Sequence, residues 1–210
     1  MIIDIKKIEV PLSFWQSKVL LIVGPPCSGK HTLAKDMCAQ IGSLKILNTI
    51  TTRSKRLQVQ NDEVIFVTKK DFERRFLSGN FFYANRKEKI FYAYSKSEIL
   101  QESLKGFGVI LIFHSNGALA LKKNVHGIPT IFLEAPIDLL IERCRKRGDW
   151  KENRHKELLT SISINQKTYA QFKTKEQNCI QISNGSNTSS IPRNVVESAI
   201  TFYRRISSLD

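Results

Sequence analysis

Two unbroken apolar runs mark the interior of this chain, residues 19–23 (VLLIV) and 108–113 (GVILIF), and a third, 128–133, is nearly as apolar. Runs without polar alternation predict strands covered on both faces, as in a parallel sheet between helices. Between them, apolar residues recur at helical spacing. Residues 30–40 gather Leu33, Ala34, Met37 and Cys38 on one side, with Ile41 next and Gly42 as a stop. Residues 68–80 read as a helix with Phe72, Phe76 and Leu77 inward, ended by Gly79. Ser95 and Ser97 lead into a helix that stops at Gly106. Pro136 precedes a helix carrying Leu139, Leu140 and Cys144, and a long helix follows over 152–172. The last helix begins at Pro192, with Val195, Val196, Ala199, Ile200, Tyr203 and Ile206 as its core stripe.

Shorter strands are predicted at 2–10, 45–50, 63–67 and 179–182. Residues 81–95 (FFYANRKEKIFYAYS) read as a hairpin, two aromatic-rich strands around a polar turn at 85–89. Alternation of strand and helix predicts an α/β fold, a doubly wound parallel sheet with helices on both faces. The hairpin region, 50–95, is predicted as a small mixed β insertion. The core is then 18–49 and 96–210, and 1–17 is an N-terminal extension with no assigned chemistry.

The turn after the first run carries the clearest chemistry. Gly24 to Lys30 spells GxxxxGK between a strand and a helix, the pattern of a phosphate-binding loop. Glycines let the backbone N–H groups curl inward, the helix start adds partial positive charge, and Lys30 reaches phosphate oxygens. His31 stands where Ser or Thr normally helps to hold Mg²⁺, and Thr32 comes one residue later.

Charge adds to this picture. The chain has 210 residues, 33 basic and 19 acidic, for a net charge of +14. Such a balance favours polyanionic partners. No recognised nucleic-acid motif accompanies it, so nucleic acid ranks below a nucleotide. Arg53 and Arg56, beside Thr51 and Thr52, form a second phosphate-suited cluster of forked and hydroxyl donors. Cys27, Cys38, Cys144 and Cys179 lack CxxC or zinc spacing and read as reduced thiols of a cytoplasmic protein. The first residues carry Asp4, Lys6, Lys7 and Glu9, unlike a signal peptide, and no apolar run is long enough for a membrane span.

Taken in order, GPPCSGKHTL, TTRSKR, EVIFVTKKDF, FFYAN…FYAYS, VILIFHSNG and PIDLLIERCRKRG resemble a guanylate kinase-type P-loop nucleoside monophosphate kinase over residues 18–185. The resemblance implies that Gly24, Pro25, Pro26, Cys27, Ser28, Gly29, Lys30, His31 and Thr32 hold the donor ATP, with Asn184 near its base. It makes Thr32 the candidate Mg²⁺ hydroxyl. Arg53, Arg56, Tyr92 and Thr49 would serve the acceptor phosphate. Lys30, Arg143 and Arg147 would act on the transferring phosphoryl, with Arg154 one turn from the usual second lid arginine and a lid over 147–160. Family positions that read guanine through an acid fall at Tyr83 and His114. Ribose 1,5-bisphosphate phosphokinases share the non-Ser residue after the loop lysine and are similar around Tyr83-Ala84-Asn85 and Ser115-Asn116-Gly117.

The implied activity is phosphoryl transfer from ATP, with Mg²⁺, to a small phosphorylated acceptor, first a GMP-type nucleoside monophosphate. A ribose 1,5-bisphosphate-type acceptor is one alternative. A catalytically degenerate module that binds a protein partner is the other.

Overall fold

The computed structural model describes residues 11–54, 64–87, 89–122, 125–148, 150, 152–175, 178–186 and 190–207. The strand expected at 2–10 and the candidate Arg56 lie outside the described residues. The order is α1 (Leu12–Lys18), β1 (Val19–Val23), α2 (Lys30–Gln40), β2 (Leu44–Ile46), β3 (Thr49–Thr51), β4 (Val64–Phe66) and α3 (Lys69–Leu77). Then come β5 (Phe81–Lys87), β6 (Ile90–Ser95), α4 (Lys96–Leu104), β7 (Gly108–Phe113), α5 (Ser115–Lys122), β8 (Thr130–Glu134) and α6 (Ile137–Lys146). The described elements end with α7 (Arg154–Lys175), β9 (Cys179–Ser183) and α8 (Arg193–Ser207).

Five strands form a parallel sheet in the order β2-β7-β1-β8-β9. Alternate residues of its central strands supply two cores. Leu20, Ile22, Ile110 and Ile131 pack with α2 and α8 through Leu33, Met37, Val196 and Ala199. Val19, Leu21, Val23, Val109, Leu111 and Phe132 pack with α1, α4, α5 and α7 through Trp15, Ile99, Leu121 and Phe172. Both faces are therefore dry, which is why β1 and β7 read as continuous apolar runs. Trp15 draws the end of the expected N-terminal extension into this core, with its ring 4.5 Å from that of Phe82.

A second, mixed sheet has the order β4-β3-β6-β5. One face carries Ile50, Phe81, Ala84 and Ala93 against Phe72 of α3. A register shift between Phe81 and Tyr83 sends Phe82 and Tyr83 together into the main core.

The single strand expected at 45–50 is two strands in two sheets. Leu47 N–H donates to Ile110 O at 3.0 Å, closing the β2–β7 ladder. Asn48 then turns the chain, its amide donating to Glu98 Oε1 at 2.9 Å, and β3 opens the second sheet. Leu77, expected inward, is 83% exposed, because α3 ends there and Phe72 supplies its buried contact. The hairpin turn is tighter than 85–89, since β5 extends through Lys87. The sequence reading had no counterpart for α5.

Candidate active site

All strands of the main sheet run the same way, so their C-terminal ends share one edge, the ligand-binding edge of open α/β sheets. β1 ends there in the loop 24–29, β7 in His114, β8 before α6, and β9 in Asn184. β2 leaves the same edge toward the second sheet.

The loop is held closely. A Cβ on Gly24 would lie 2.3 Å from the backbone oxygen of Leu133. Gly29 caps α2 in the left-handed region (φ 98°). From beneath, Asn184 Nδ2 donates to Ser28 O at 2.9 Å. From the side, Arg143 donates to Cys27 O at 3.4 Å, to Asn184 O at 3.3 Å and to Ser186 O. Lys30 is buried, and its Nζ donates to Gly24 O at 3.0 Å and Pro25 O at 2.6 Å. Burial, and secondarily the charge of Arg147, push its pKa down to about 7. Cys27, Gly29, Lys30, His31, Thr32, Arg143, Arg147 and Asn184 line one cleft. This combination of inward loop, helix start and three cations suits a polyphosphate.

The structure corrects the reading of the cysteines. Cys27 and Cys144 form a disulfide between the loop and α6. They are 117 residues apart, so no local spacing signals the pair. Asn184, assigned to the donor base, commits its amide to the loop. Arg154 does not line the cleft with Arg143 and Arg147; it pairs with Glu157 at 2.8 Å.

The acceptor candidates spread over the second sheet and the end of β7. Thr49 Oγ1 donates to Tyr94 Oη at 3.1 Å. Arg53 is half-buried just beyond β3, with its backbone N–H on Thr51 Oγ1 at 3.2 Å. The hydroxyls of Thr51 and Thr52 are engaged by the main chain of Phe91, Thr51 donating to its oxygen at 2.8 Å and Thr52 accepting its N–H at 3.0 Å. They brace β3 against β6; Thr51 spends its hydroxyl proton on this bond, whereas Thr52 accepts and keeps its own. Tyr92 is half-buried opposite Thr51, and His114 is exposed. Tyr83, assigned to the acceptor, is 5% exposed and packs edge-on against Phe113 at 4.8 Å. It is a core residue in this arrangement, and burial raises its pKa.

Tyr94 was missed by sequence reasoning and organises this side. Its hydroxyl donates to Ile112 O at 2.7 Å and accepts from Ile112 N at 3.0 Å. β2 stops level with Ile110, so the next main-chain groups of β7 on that side have no strand partner. The phenol replaces it and fastens the second sheet to the first. The available signal was the alternation in FYAYS, which puts Tyr92 and Tyr94 on one face and Phe91 and Ala93 on the other.

Comparison with known proteins bears on family and fold. The guanylate kinase family profile matches residues 16–178. The guanylate kinase of Paraburkholderia xenovorans is 28% identical over 141 residues, 66% of this chain and 63% of that protein. The guanylate kinase of Chlamydia caviae is 29% identical over 173 residues, 79% of this chain and 84% of that protein. The chain thus spans under two thirds of the length of some curated relatives that it matches. The crystal structure of guanylate kinase from Anaplasma phagocytophilum superposes with a TM-score of 0.62 at 17% identity, covering 89% of this chain and 84% of that one, a likeness of fold.

Proposed function

The chain belongs to the guanylate kinase family, and we propose on that premise that it transfers the terminal phosphoryl group of ATP to a small phosphorylated acceptor, first a nucleoside monophosphate of the GMP type. The observation that carries this reading is the convergence of Lys30, Arg143 and Arg147 on one cleft over the loop 24–29.

The residues fit the donor. Backbone N–H groups at the start of α2 and Lys30 would hold the β- and γ-phosphates, and Arg147, exposed at the end of α6, would cover the transferred group. Among the described residues no cluster of three His, Cys, Asp or Glu offers a metal site. Mg²⁺ accommodates that, since it keeps several waters and binds largely through phosphates. Thr32, half-buried in the cleft, is the hydroxyl proposed to assist. Bound Mg²⁺ would neutralise phosphate charge. The protein's own part is alignment and charge stabilisation by Lys30 and the arginines. The acceptor phosphate is already an anion, so no general base is required. Arg53, with Tyr92 and Thr49 nearby on the second sheet, is proposed to hold that phosphate.

An acceptor panel at saturating ATP·Mg²⁺, read as ADP release, tests the reading. Turnover with GMP or dGMP is expected. Turnover confined to ribose 1,5-bisphosphate would move the acceptor to the sugar phosphates. No turnover with any acceptor, together with no ATP-dependent rise in melting temperature, would overturn the enzymatic reading in favour of a binding module.

A further inference from the structure

We propose that Cys27 and Cys144 are a reversible redox site that locks the phosphate loop when oxidised. The inference rests on the reading that this loop holds the donor phosphates.

Cys27 has φ 61°, and it is the non-glycine residue with positive φ among those described. A side chain in that conformation costs about 1–2 kcal/mol, which glycine would avoid. What the cysteine adds at this position is its sulfur. The partner is in reach through ordinary geometry, with a Cα–Cα separation of 5.9 Å, inside the usual disulfide range.

The two sulfurs are unequal in access. Cys144 is fully buried beside Leu140 and Leu158, whereas Cys27 lines the cleft. Arg143, Arg147 and the start of α2 line that cleft, an electropositive setting that favours a thiolate. Cys27 is therefore the sulfur that an oxidant meets. Its thiolate attacks hydrogen peroxide, forming an S–O bond as the O–O bond breaks, and the departing hydroxide takes up a proton to become water. The Cys144 sulfur then attacks the sulfenic sulfur. An S–S bond forms, the S–O bond breaks, and the second hydroxide leaves as water with the Cys144 proton. Two thiols lose two electrons in total, and one peroxide becomes two waters. A dithiol reductant reverses the reaction by attack from the cleft side.

Oxidation ties the loop to α6 at the residue next to Arg143. α6 is then joined to the loop at consecutive positions, by the hydrogen bond to Cys27 O and by the disulfide. In this state Arg143 and Lys30 face the loop's own carbonyls. The phosphate-binding cations must turn from these carbonyls to meet a ligand, and the cross-link restrains the loop that carries the carbonyls. By linkage, a triphosphate bound in the cleft opposes cross-linking as much as cross-linking opposes its binding.

The test uses the full chain after hydrogen peroxide or dithiothreitol, followed by alkylation, digestion and mass spectrometry. The Cys27–Cys144 peptide is expected after peroxide and absent after dithiothreitol. Saturating ATP·Mg²⁺ should slow its formation, and oxidation should weaken ATP binding by about tenfold. Dithiothreitol should restore binding. Cys144→Ala should bind ATP like the reduced chain and form no such peptide. If that variant does not fold, the two redox states of the unaltered chain carry the comparison. A failure to cross-link, or equal ATP affinity in the two states, overturns the proposal. If neither state turns over any acceptor while ATP affinity still follows the redox state, the phosphotransfer reading fails and the redox site stands.

Discussion

Lys30 concentrates the chemistry into one side chain. Its amine is buried on two carbonyls and has a pKa near 7, so much of it is neutral at physiological pH until a phosphate restores its charge. ATP binding at pH 8 should therefore take up close to one proton, measurable by calorimetry in two buffers of different ionisation enthalpy. Affinity should fall by up to about tenfold per pH unit above 7. The same shift has a definite sign for stability. Between about 7 and 10.5 the unfolded chain holds more protons on this lysine than the folded chain. Its contribution to stability therefore rises with pH across that window and is flat below it. Lys30→Met keeps the buried stem and removes the charge. The expected result is a folded protein with turnover reduced by about 10²–10³-fold. Gly24→Ala acts differently, because its new carbon would strike the backbone of Leu133. A loss of about 1–3 kcal/mol is expected in urea denaturation.

Among the elements, β6 does the most joining. Its Tyr94 hydroxyl completes the hydrogen bonding of β7 where β2 ends. Tyr94→Phe strands both main-chain groups of Ile112. It should cost about 1–3 kcal/mol, with faster hydrogen exchange at the Ile112 amide as the local readout. The elements that could be read from sequence are those with a local cause. Residues 19–23, 30–40 and 108–113 appear with their expected bounds, because burial on both faces or helical periodicity is written in consecutive residues. β2 and β3 could not be separated in the same way. Each has three residues, and what parts them is a distant carboxylate on Asn48 and the partner strands in two sheets. Leu77 failed for a related reason, since periodicity gives a direction but not whether any element covers it.

For the molecule as a whole, five parallel strands bring the phosphate loop, His114 and Asn184 to one edge, and that much follows from strand order and the loop motif. The contents of the cleft were less legible. Arg143 was foreseen as a phosphoryl contact, and the structure has it bracing three carbonyls. The Cys27–Cys144 contact exists only once α6 has docked beside the loop. No helix among the described residues is long and apolar enough to cross a membrane. The two tryptophans give this arrangement an optical consequence. Trp15 stacks near Phe82, between α1 and the hairpin. Trp150 lies under Arg145 and packs in the apolar cluster that contains both linked cysteines. A disulfide in contact with an excited indole accepts its electron and quenches emission. Reduction should brighten Trp150 and leave Trp15 unchanged, so the fluorescence of Trp15→Phe would report the state of the phosphate loop without any label.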